Sequence, residues 1–69
     1  MFIKTRTSLY RAEITPQGYR VEKIAIIPGN PSAIEEGKEF VGNILELGER
    51  LTLYNRGKIV LETTSIIGI

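Results

Sequence analysis

The sequence predicts an all-β protein, and three observations support this fold class. Residues that favour strands alternate with Gly and Pro along most of the chain, and turn signals recur at short intervals. Apolar residues at the i, i+3, i+4 and i+7 spacing of an amphipathic helix are scarce. With 69 residues, the chain forms one domain, residues 1–69, near the lower size limit for a core without crosslinks. We therefore expect a small, strongly bent antiparallel sheet of about five or six strands, or a small barrel.

The segment 15–18, TPQG, predicts the turn of the first hairpin. Pro fixes φ for a type I or II turn, and Gly takes positive φ readily. If the two ends of this segment pair, Glu13 lies opposite Arg20 and Arg11 lies opposite Glu22. Each opposite-charge pair is worth about 0.2–1 kcal/mol, which supports this register. The same register places a set of apolar residues on the other face: Ala12, Ile14, Tyr19 and Val21.

Two features are expected after this hairpin. Continuing the same register reverses the apolar face, which predicts a bulge near residues 22–23 or a strand that bends into another sheet. The segment 27–37, IPGNPSAIEEG, contains a Pro-Gly turn dipeptide, and Ser32 followed by Glu35 fits a capping box. We expect a surface loop with one short helical turn near 32–36.

Residues 38–47 predict the next strand, and the loop that follows it has two alternatives. A two-residue loop gives Gly48 a favoured position in a type II′ turn but sets Glu46 opposite Leu51. A three-residue loop keeps the leucines on one face, pairing Leu47 with Leu51 and Leu45 with Leu53. We favour the three-residue loop, because burial of large side chains at about 25 cal/mol per Å² outweighs a turn preference.

The segment 54–65, YNRGKIVLETTS, carries the last turn signal. A three-residue loop, Asn55–Gly57, gives Gly57 the positive φ of a G1-type hairpin. This loop predicts three cross-strand pairs: Leu53 with Ile59, Leu51 with Leu61, and Arg50 with Glu62. Residues 63–65, TTS, predict a corner whose side chains bond nearby backbone groups. Residues 66–69 form a last short strand that closes the sheet against the first strand.

The composition restricts the chemistry of the chain. It has no Cys and no His, and all eight acidic residues are Glu. Disulfides, thiolate or imidazole metal sites, and triads of the Ser-His-Asp kind are therefore excluded within one chain. No spacing marks a catalytic pair of Glu residues, and the Asp and Asn pattern of calcium loops is missing. We expect a protein that is not an enzyme and that uses no cofactor and no metal.

The charge is nearly balanced overall but uneven along the chain. Nine basic and eight acidic side chains give a formal net charge of +1, too small to imply a polyanionic partner by itself. Basic residues exceed acidic ones in 1–23 and 50–69, and acidic residues exceed basic ones in 24–49. No segment is long and apolar enough to span a membrane, and the start lacks the apolar stretch of a signal peptide. We expect a cytoplasmic protein.

One candidate site would bind nucleic acid, and it consists of Lys4, Arg6, Tyr54, Arg56 and Lys58. The hairpin tip carries two cations that suit phosphates or an acidic protein surface, and Tyr54 is the best candidate for an exposed stacking ring. Lys4 and Arg6 alternate along the first strand without an acidic partner. In the alternative interpretation, the tip is solvated and its charges only maintain solubility. Whether these residues form one patch does not follow from the sequence.

A second candidate site is apolar. Residues 40–47 and 66–69 contain more apolar side chains than the inside of one small barrel needs. We expect a protein interface that includes Phe40, Val41, Ile66, Ile67 and Ile69. Exposed apolar surface and strand edges predict a homodimer or a protein partner. In the alternative interpretation, bent strands cover both faces internally.

The order of strands, with the corner 63–65 before a short terminal strand, resembles the Src-homology-3-like (SH3-like) and Sm-like small barrels. That resemblance implies an SH3-like barrel fold. The characteristic residues of the Sm RNA-binding loops, including an Asp, are absent, so the RNA function of that family is not implied. The ending 61–69, LETTSIIGI, is also similar to the endings of short uncharacterised proteins of phages and other mobile elements, with Ser65, Ile66 and Ile69 at the matching positions. This second resemblance implies a small accessory protein that binds a host or viral macromolecule.

These observations predict a non-catalytic binding module. Protein–protein interaction or homo-oligomerisation is the first hypothesis, and nucleic-acid binding through a basic patch is the alternative. The identity of the partner and the oligomeric state do not follow from the sequence.

Overall fold

A computed structural model, which describes residues 1–29 and 36–69, has seven antiparallel strands in one sheet. The strands are β1 (Phe2–Thr5), β2 (Ser8–Thr15), β3 (Gly18–Ile26), β4 (Glu39–Gly42), β5 (Ile44–Leu47), β6 (Arg50–Asn55) and β7 (Lys58–Gly68). Their order across the sheet is β4-β3-β2-β1-β7-β6-β5. The predicted all-β class and antiparallel sheet are confirmed. The helical turn expected near 32–36 involves residues 32–35, which lie outside the described residues.

The two edge strands of this sheet are consecutive in the chain. Only Asn43 separates β4 from β5, yet β4 pairs with β3 and β5 pairs with β6, at opposite ends of the strand order. The sheet therefore curls until its two edges meet at Asn43, whose backbone amide donates a hydrogen bond to the Tyr54 carbonyl at 2.9 Å. The edge strands do not pair with each other, so the ladder is not closed into a barrel.

The hairpin of β2 and β3 has the register that its sequence predicts. Its end pair is formed by Thr15 and Gly18. Both expected ion pairs are present, with Arg20 Nη2 at 2.5 Å from Glu13 Oε2 and Arg11 Nη2 at 2.6 Å from Glu22 Oε1. The four side chains are only partly buried, at 25–45% exposure, so the main role of these pairs is to fix the register.

The expected change of phase in β3 is produced by a bulge. Leu9 pairs with Ala25 and Tyr10 pairs with Lys23, so Ile24 is an additional residue of β3. The bulge lies one residue beyond the predicted position. It keeps Tyr10 facing the interior, where its side chain is buried.

The number of strands, seven instead of five or six, results from three local differences. The first predicted strand is split into β1 and β2, residues 38–47 are split at Asn43, and residues 58–68 form one strand. The turn between β1 and β2 contains no Gly or Pro. Instead, the Thr5 hydroxyl accepts a hydrogen bond from the Ser8 amide and donates one to the Ser8 carbonyl, both at 3.2 Å. A side chain that bonds local backbone can make a turn without the usual turn residues.

The loop between β5 and β6 follows the alternative that burial favours. Leu47 pairs with Leu51 and Leu45 pairs with Leu53, so the connection is the three-residue loop. Leu51 and Leu53 are both fully buried. Burial of the leucines has therefore set the register of this hairpin.

The predicted loop between β6 and β7 is wrong. Asn55 pairs with Lys58, which leaves a two-residue turn at Arg56 and Gly57 with φ values of 52° and 81°. Positive φ at both central residues is the requirement of a type I′ turn, which matches the twist of the strands. A bulge one step further along β7 then places Leu61 opposite Leu53.

The predicted pairs of Ile59 with Leu53, of Leu51 with Leu61 and of Arg50 with Glu62 are therefore not formed as direct pairs. Arg50 is instead paired with Ser65. The additional residue in β7 lets Leu61 point inward while Ile59 remains 54% exposed. Burial of Leu61 has decided the register against the simpler pairing.

The end of β7 agrees with its prediction in two respects. It pairs with β1, through Thr5 with Ile66 and Lys4 with Gly68. The Thr63 hydroxyl accepts a hydrogen bond from the Leu51 amide at 3.2 Å and donates one to the Thr64 carbonyl at 2.8 Å. The expected corner is thus a local irregularity within one continuous strand.

The core lies on the concave side of the curled sheet. Its buried apolar residues are Ile3, Tyr10, Ala12, Val21, Leu51, Leu53 and Leu61, and Tyr19, Phe40, Leu45 and Ile66 pack against them. Gly42 lies where β4 passes closest to β6. A Cβ atom at this position would be 2.3 Å from the Tyr54 carbonyl oxygen and 2.8 Å from Leu53 Cγ. Only glycine permits this approach of the two backbones.

Among the described residues, one charged side chain is buried, that of Lys23 in β3, which pairs with Tyr10 of β2. Its backbone is fixed by the loop that follows β3, since its amide donates to the Lys38 carbonyl at 3.0 Å and its carbonyl accepts from the Gly37 amide at 2.8 Å. Burial lowers the pKa of Lys23, and the carboxylate of Glu36 opposes this shift. The ammonium group therefore lies in a less polar environment in the folded protein than in the unfolded chain.

We expect Gly42→Ala to lower the free energy of unfolding by about 1–3 kcal/mol, because the added methyl group overlaps backbone atoms of β6. Gly48→Ala is the matched control, since nothing lies within 4 Å of a Cβ atom built there. Its effect is expected to stay within about 0.5 kcal/mol. Urea unfolding of both variants provides the measurement. Equal stabilities would contradict the close approach of β4 and β6.

Lys23→Met should change the pH dependence of stability. The pKa of Lys23 is lowered in the folded state, so between that value and 10.5 the unfolded chain binds more protons. The free energy of unfolding of the natural protein should therefore rise, relative to the variant, as pH increases from neutral toward 10.5. The pKa of Tyr10 is raised in the folded state, so Tyr10 makes stability fall as pH increases above 10.0. Because Tyr10 is present in both proteins, its contribution cancels in the comparison. A difference that stays constant with pH would rule out a buried ammonium.

Candidate binding surfaces

The predicted nucleic-acid residues lie in two separate groups, and the first is the hairpin tip. Arg56 and Lys58 are exposed there, and within the described residues neither forms an ion pair. The Arg56 amide donates to Asn43 Oδ1 at 3.2 Å, which fixes the tip against the junction of the edge strands. Tyr54 is half-buried between Ile44 and Ile59 on the outer face. The tip therefore combines two cations with one partly covered ring.

The second group, Lys4 and Arg6, lies near the other end of β7. Lys4 pairs with Gly68, and the Arg6 amide donates to the Ser65 carbonyl at 3.1 Å. At about 3.3 Å per residue, Lys58 and Gly68 are on the order of 30 Å apart along the strand. The five predicted residues are thus not brought together into one patch.

The predicted interface residues divide into partly buried and exposed ones. Phe40 and Ile66 pack against the core. Val41, Ile67 and Ile69 are 61%, 57% and 74% exposed. Val41 lies on the edge strand β4, whereas the two isoleucines belong to the end of β7 beside β1. The exposed apolar surface is therefore spread over an edge strand and the terminal strands.

An open apolar groove, which we call the β5 groove, was not predicted from the sequence. It has a volume of about 600 Å³ and lies between β5 and the end of the β2–β3 hairpin. Its lining consists of Met1, Ala12, Glu13, Ile14, Tyr19, Leu45 and Leu47. Ile14 pairs with Tyr19 as expected, but its side chain is 85% exposed. The sequence signal for this groove was the alternation of Leu45 and Leu47 on one face of a strand at the sheet edge.

The rim of the β5 groove is held by charged groups that are already paired. Glu13 is bonded to Arg20, and its other carboxylate oxygen lies 3.4 Å from Arg11 Nε. The hydrogen bond from Arg20 is the main cause of a lowered pKa of Glu13, and the pKa of Arg20 is raised by the same contact. The terminal ammonium of Met1 donates to the Ala12 carbonyl at 3.0 Å. An ionised, paired carboxylate is unsuited to general acid chemistry near neutral pH.

The free strand edge of β5 runs beside this groove. β5 pairs with β6 on one side, and no strand of the described residues pairs with its other side. Such an edge presents unpaired backbone N–H and C=O groups that can accept another strand. The groove and the edge together offer both apolar contact and backbone hydrogen bonding.

Among residues 1–29 and 36–69, no three acidic side chains are grouped so that they could hold a metal ion. Within these ranges there is also no helix with the length and hydropathy needed to cross a membrane.

Comparison with known proteins gives no relative of this chain. No protein-family model matches it, and neither a curated protein nor a solved structure resembles it significantly.

Proposed function

We propose that this chain is a non-catalytic binding module that associates with protein along β5, in the first place with a second copy of itself. One observation carries the proposal: a free strand edge lies directly beside an open apolar groove of about 600 Å³. A partner strand added to this edge would satisfy its backbone groups, and alternate side chains of that strand would enter the groove. Both requirements of strand addition are met at one place.

The exposed apolar residues around β5 support this location. Ile44 and Leu47 lie at the two ends of β5, and Val41 lies on the preceding edge strand. β5 has only four residues, so backbone hydrogen bonds alone would hold a partner weakly. Apolar burial in the groove would supply most of the binding free energy.

Self-association is preferred because a strand edge is complementary to itself. Two copies of β5 can pair in antiparallel orientation about a two-fold axis, so each copy provides both the edge and the side chains that fill the other groove. Symmetric pairing about Leu45 would keep the two Glu46 carboxylates from lying directly opposite each other. A different protein with an extended apolar segment would use the same contacts.

The barrel type, the cellular location and the origin expected from the sequence are part of this proposal. We infer that β4 and β5 act as one bent strand that completes an SH3-like barrel, which is supported by the contact of Asn43 with Tyr54. We infer that the chain is a cytoplasmic accessory protein of a phage or mobile element, a role that fits a binding module of this size.

Nucleic-acid binding is the second candidate, and the exposed cations of the hairpin tip favour it. Arg56 lies in the two-residue turn and Lys58 is the first residue of β7, with Tyr54 adjacent. Lys4 and Arg6 are too far away to contact the same few nucleotides. The tip alone would make about two phosphate contacts, which implies weak binding.

Sedimentation velocity over a range of concentrations tests self-association. The natural chain should form dimers, and Ile14→Lys and Leu47→Lys should each weaken dimerisation about tenfold or more, because a charge enters the apolar groove. Ile59→Lys is the matched control, since Ile59 is also apolar, has an exposure between those of Ile14 and Leu47, and lies outside the groove. A chain that stays monomeric at the highest concentration, or equal weakening by all three variants, would contradict the proposal.

A gel shift on mixed DNA and RNA tests the second candidate. If the tip binds phosphate, Arg56→Ala/Lys58→Ala should lower the affinity for nucleic acid. The slope of log affinity against log salt concentration should fall by the amount that about two phosphate contacts contribute. Lys4→Ala/Lys38→Ala removes the same charge from exposed positions away from the tip and should have little effect. Absence of a shift at low salt, or equal losses in the two double variants, argues against a site at the tip.

A further inference from the structure

A polar cleft opens on the outer face of the sheet, at the irregularity in β7. Thr52 pairs with Glu62, and Arg50 pairs with Ser65. These two pairs are two residues apart in β6 but three residues apart in β7, so β7 contains one additional residue. The cleft has a volume of about 420 Å³ and is lined by Arg6, Arg50, Glu62, Thr63, Thr64 and Ser65. It lies far along β7 from the hairpin tip and is distinct from the β5 groove.

The charges of this cleft are only partly compensated. Arg50 Nη1 lies 3.9 Å from Glu62 Oε1, which is too long for a hydrogen bond, and both side chains are about half exposed. Among the described residues, Arg6 forms no ion pair. Two arginines and one loosely held carboxylate thus line the cleft, so its charged residues carry a net positive charge.

The backbone around the cleft is fixed by hydrogen bonds. The Arg6 amide donates to the Ser65 carbonyl at 3.1 Å, and the Ile66 amide donates to the Glu49 carbonyl at 2.8 Å. The Thr63 hydroxyl is occupied by the Leu51 amide and the Thr64 carbonyl. Arg6 is therefore anchored to β7 although it comes from the turn between β1 and β2.

Two hydroxyl groups of the cleft remain available. Within the described residues, the side chains of Thr64 and Ser65 form no hydrogen bond. A hydroxyl can donate to an anionic oxygen, and guanidinium groups bind carboxylate or phosphate with two parallel hydrogen bonds. The residues that line the cleft therefore carry both charged forks and neutral donors.

We propose that this cleft binds an oxyanion, a phosphate or carboxylate group, between Arg6 and Arg50. The two guanidinium groups hold the anionic oxygens, and the hydroxyls of Thr64 and Ser65 complete the donor set. Glu62 limits affinity, because its carboxylate repels the anion and competes for Arg50. Binding would draw Arg50 away from Glu62 toward the ligand.

Titration of the isotopically labelled full chain with inorganic phosphate and, separately, with acetate tests this site by NMR. Saturable shifts are expected at the backbone amides of Arg6, Arg50, Thr64 and Ser65. Arg6→Ala and Arg50→Ala should each weaken binding about tenfold, the loss typical of a hydrogen-bonded charged partner. Lys38→Ala removes an equal charge from an exposed position outside the cleft and should leave the affinity unchanged. Saturation by phosphate alone or by acetate alone supports the site and identifies its ligand class.

Glu62→Gln provides a test that does not depend on loss of function. Removing the carboxylate frees Arg50 and lowers repulsion, so this variant should bind the anion more tightly than the natural chain. Shifts that do not saturate, or that are unchanged in Arg6→Ala and Arg50→Ala, would overturn the proposal. Unchanged or weaker binding by Glu62→Gln would also overturn it.

Discussion

The fold depends on one constraint: the two edges of the sheet are joined through a single residue. β4 and β5 lie at opposite ends of the strand order, and Asn43 alone connects them. A flat sheet of seven strands could not satisfy this connection, so the sheet curls and creates an interior. Gly42 permits the close approach that results. The core and the β5 groove follow from this curvature.

The binding surfaces arise where the curled sheet is irregular or incomplete. The β5 groove lies beside the strand edge that the curl leaves unpaired. The polar cleft lies at the place where β7 gains a residue relative to β6. In a chain this small, few side chains are free of structural duties, and these two places present groups that the core does not use.

The sequence predicted elements whose signals are local. The β2–β3 register followed from the turn signal at 15–18 and two charge pairs, and the β5–β6 register followed from leucine burial. The β1–β2 turn was missed because the Thr5 side chain makes it without Gly or Pro. For the β5 groove, the sequence signalled only the leucine alternation of β5; the full groove and the separation of the basic residues depend on the packing of strands that are distant in sequence.

The pairing of β1 with β7 has a consequence for how the chain folds. These strands lie in the middle of the sheet but at opposite ends of the sequence, so their contacts have the largest separation in the chain. Closing so long a loop costs entropy before any pairing energy is gained, which slows folding relative to the local hairpins. Hairpins such as β2–β3 can form during synthesis, but the central seam must wait for the last strand to leave the ribosome.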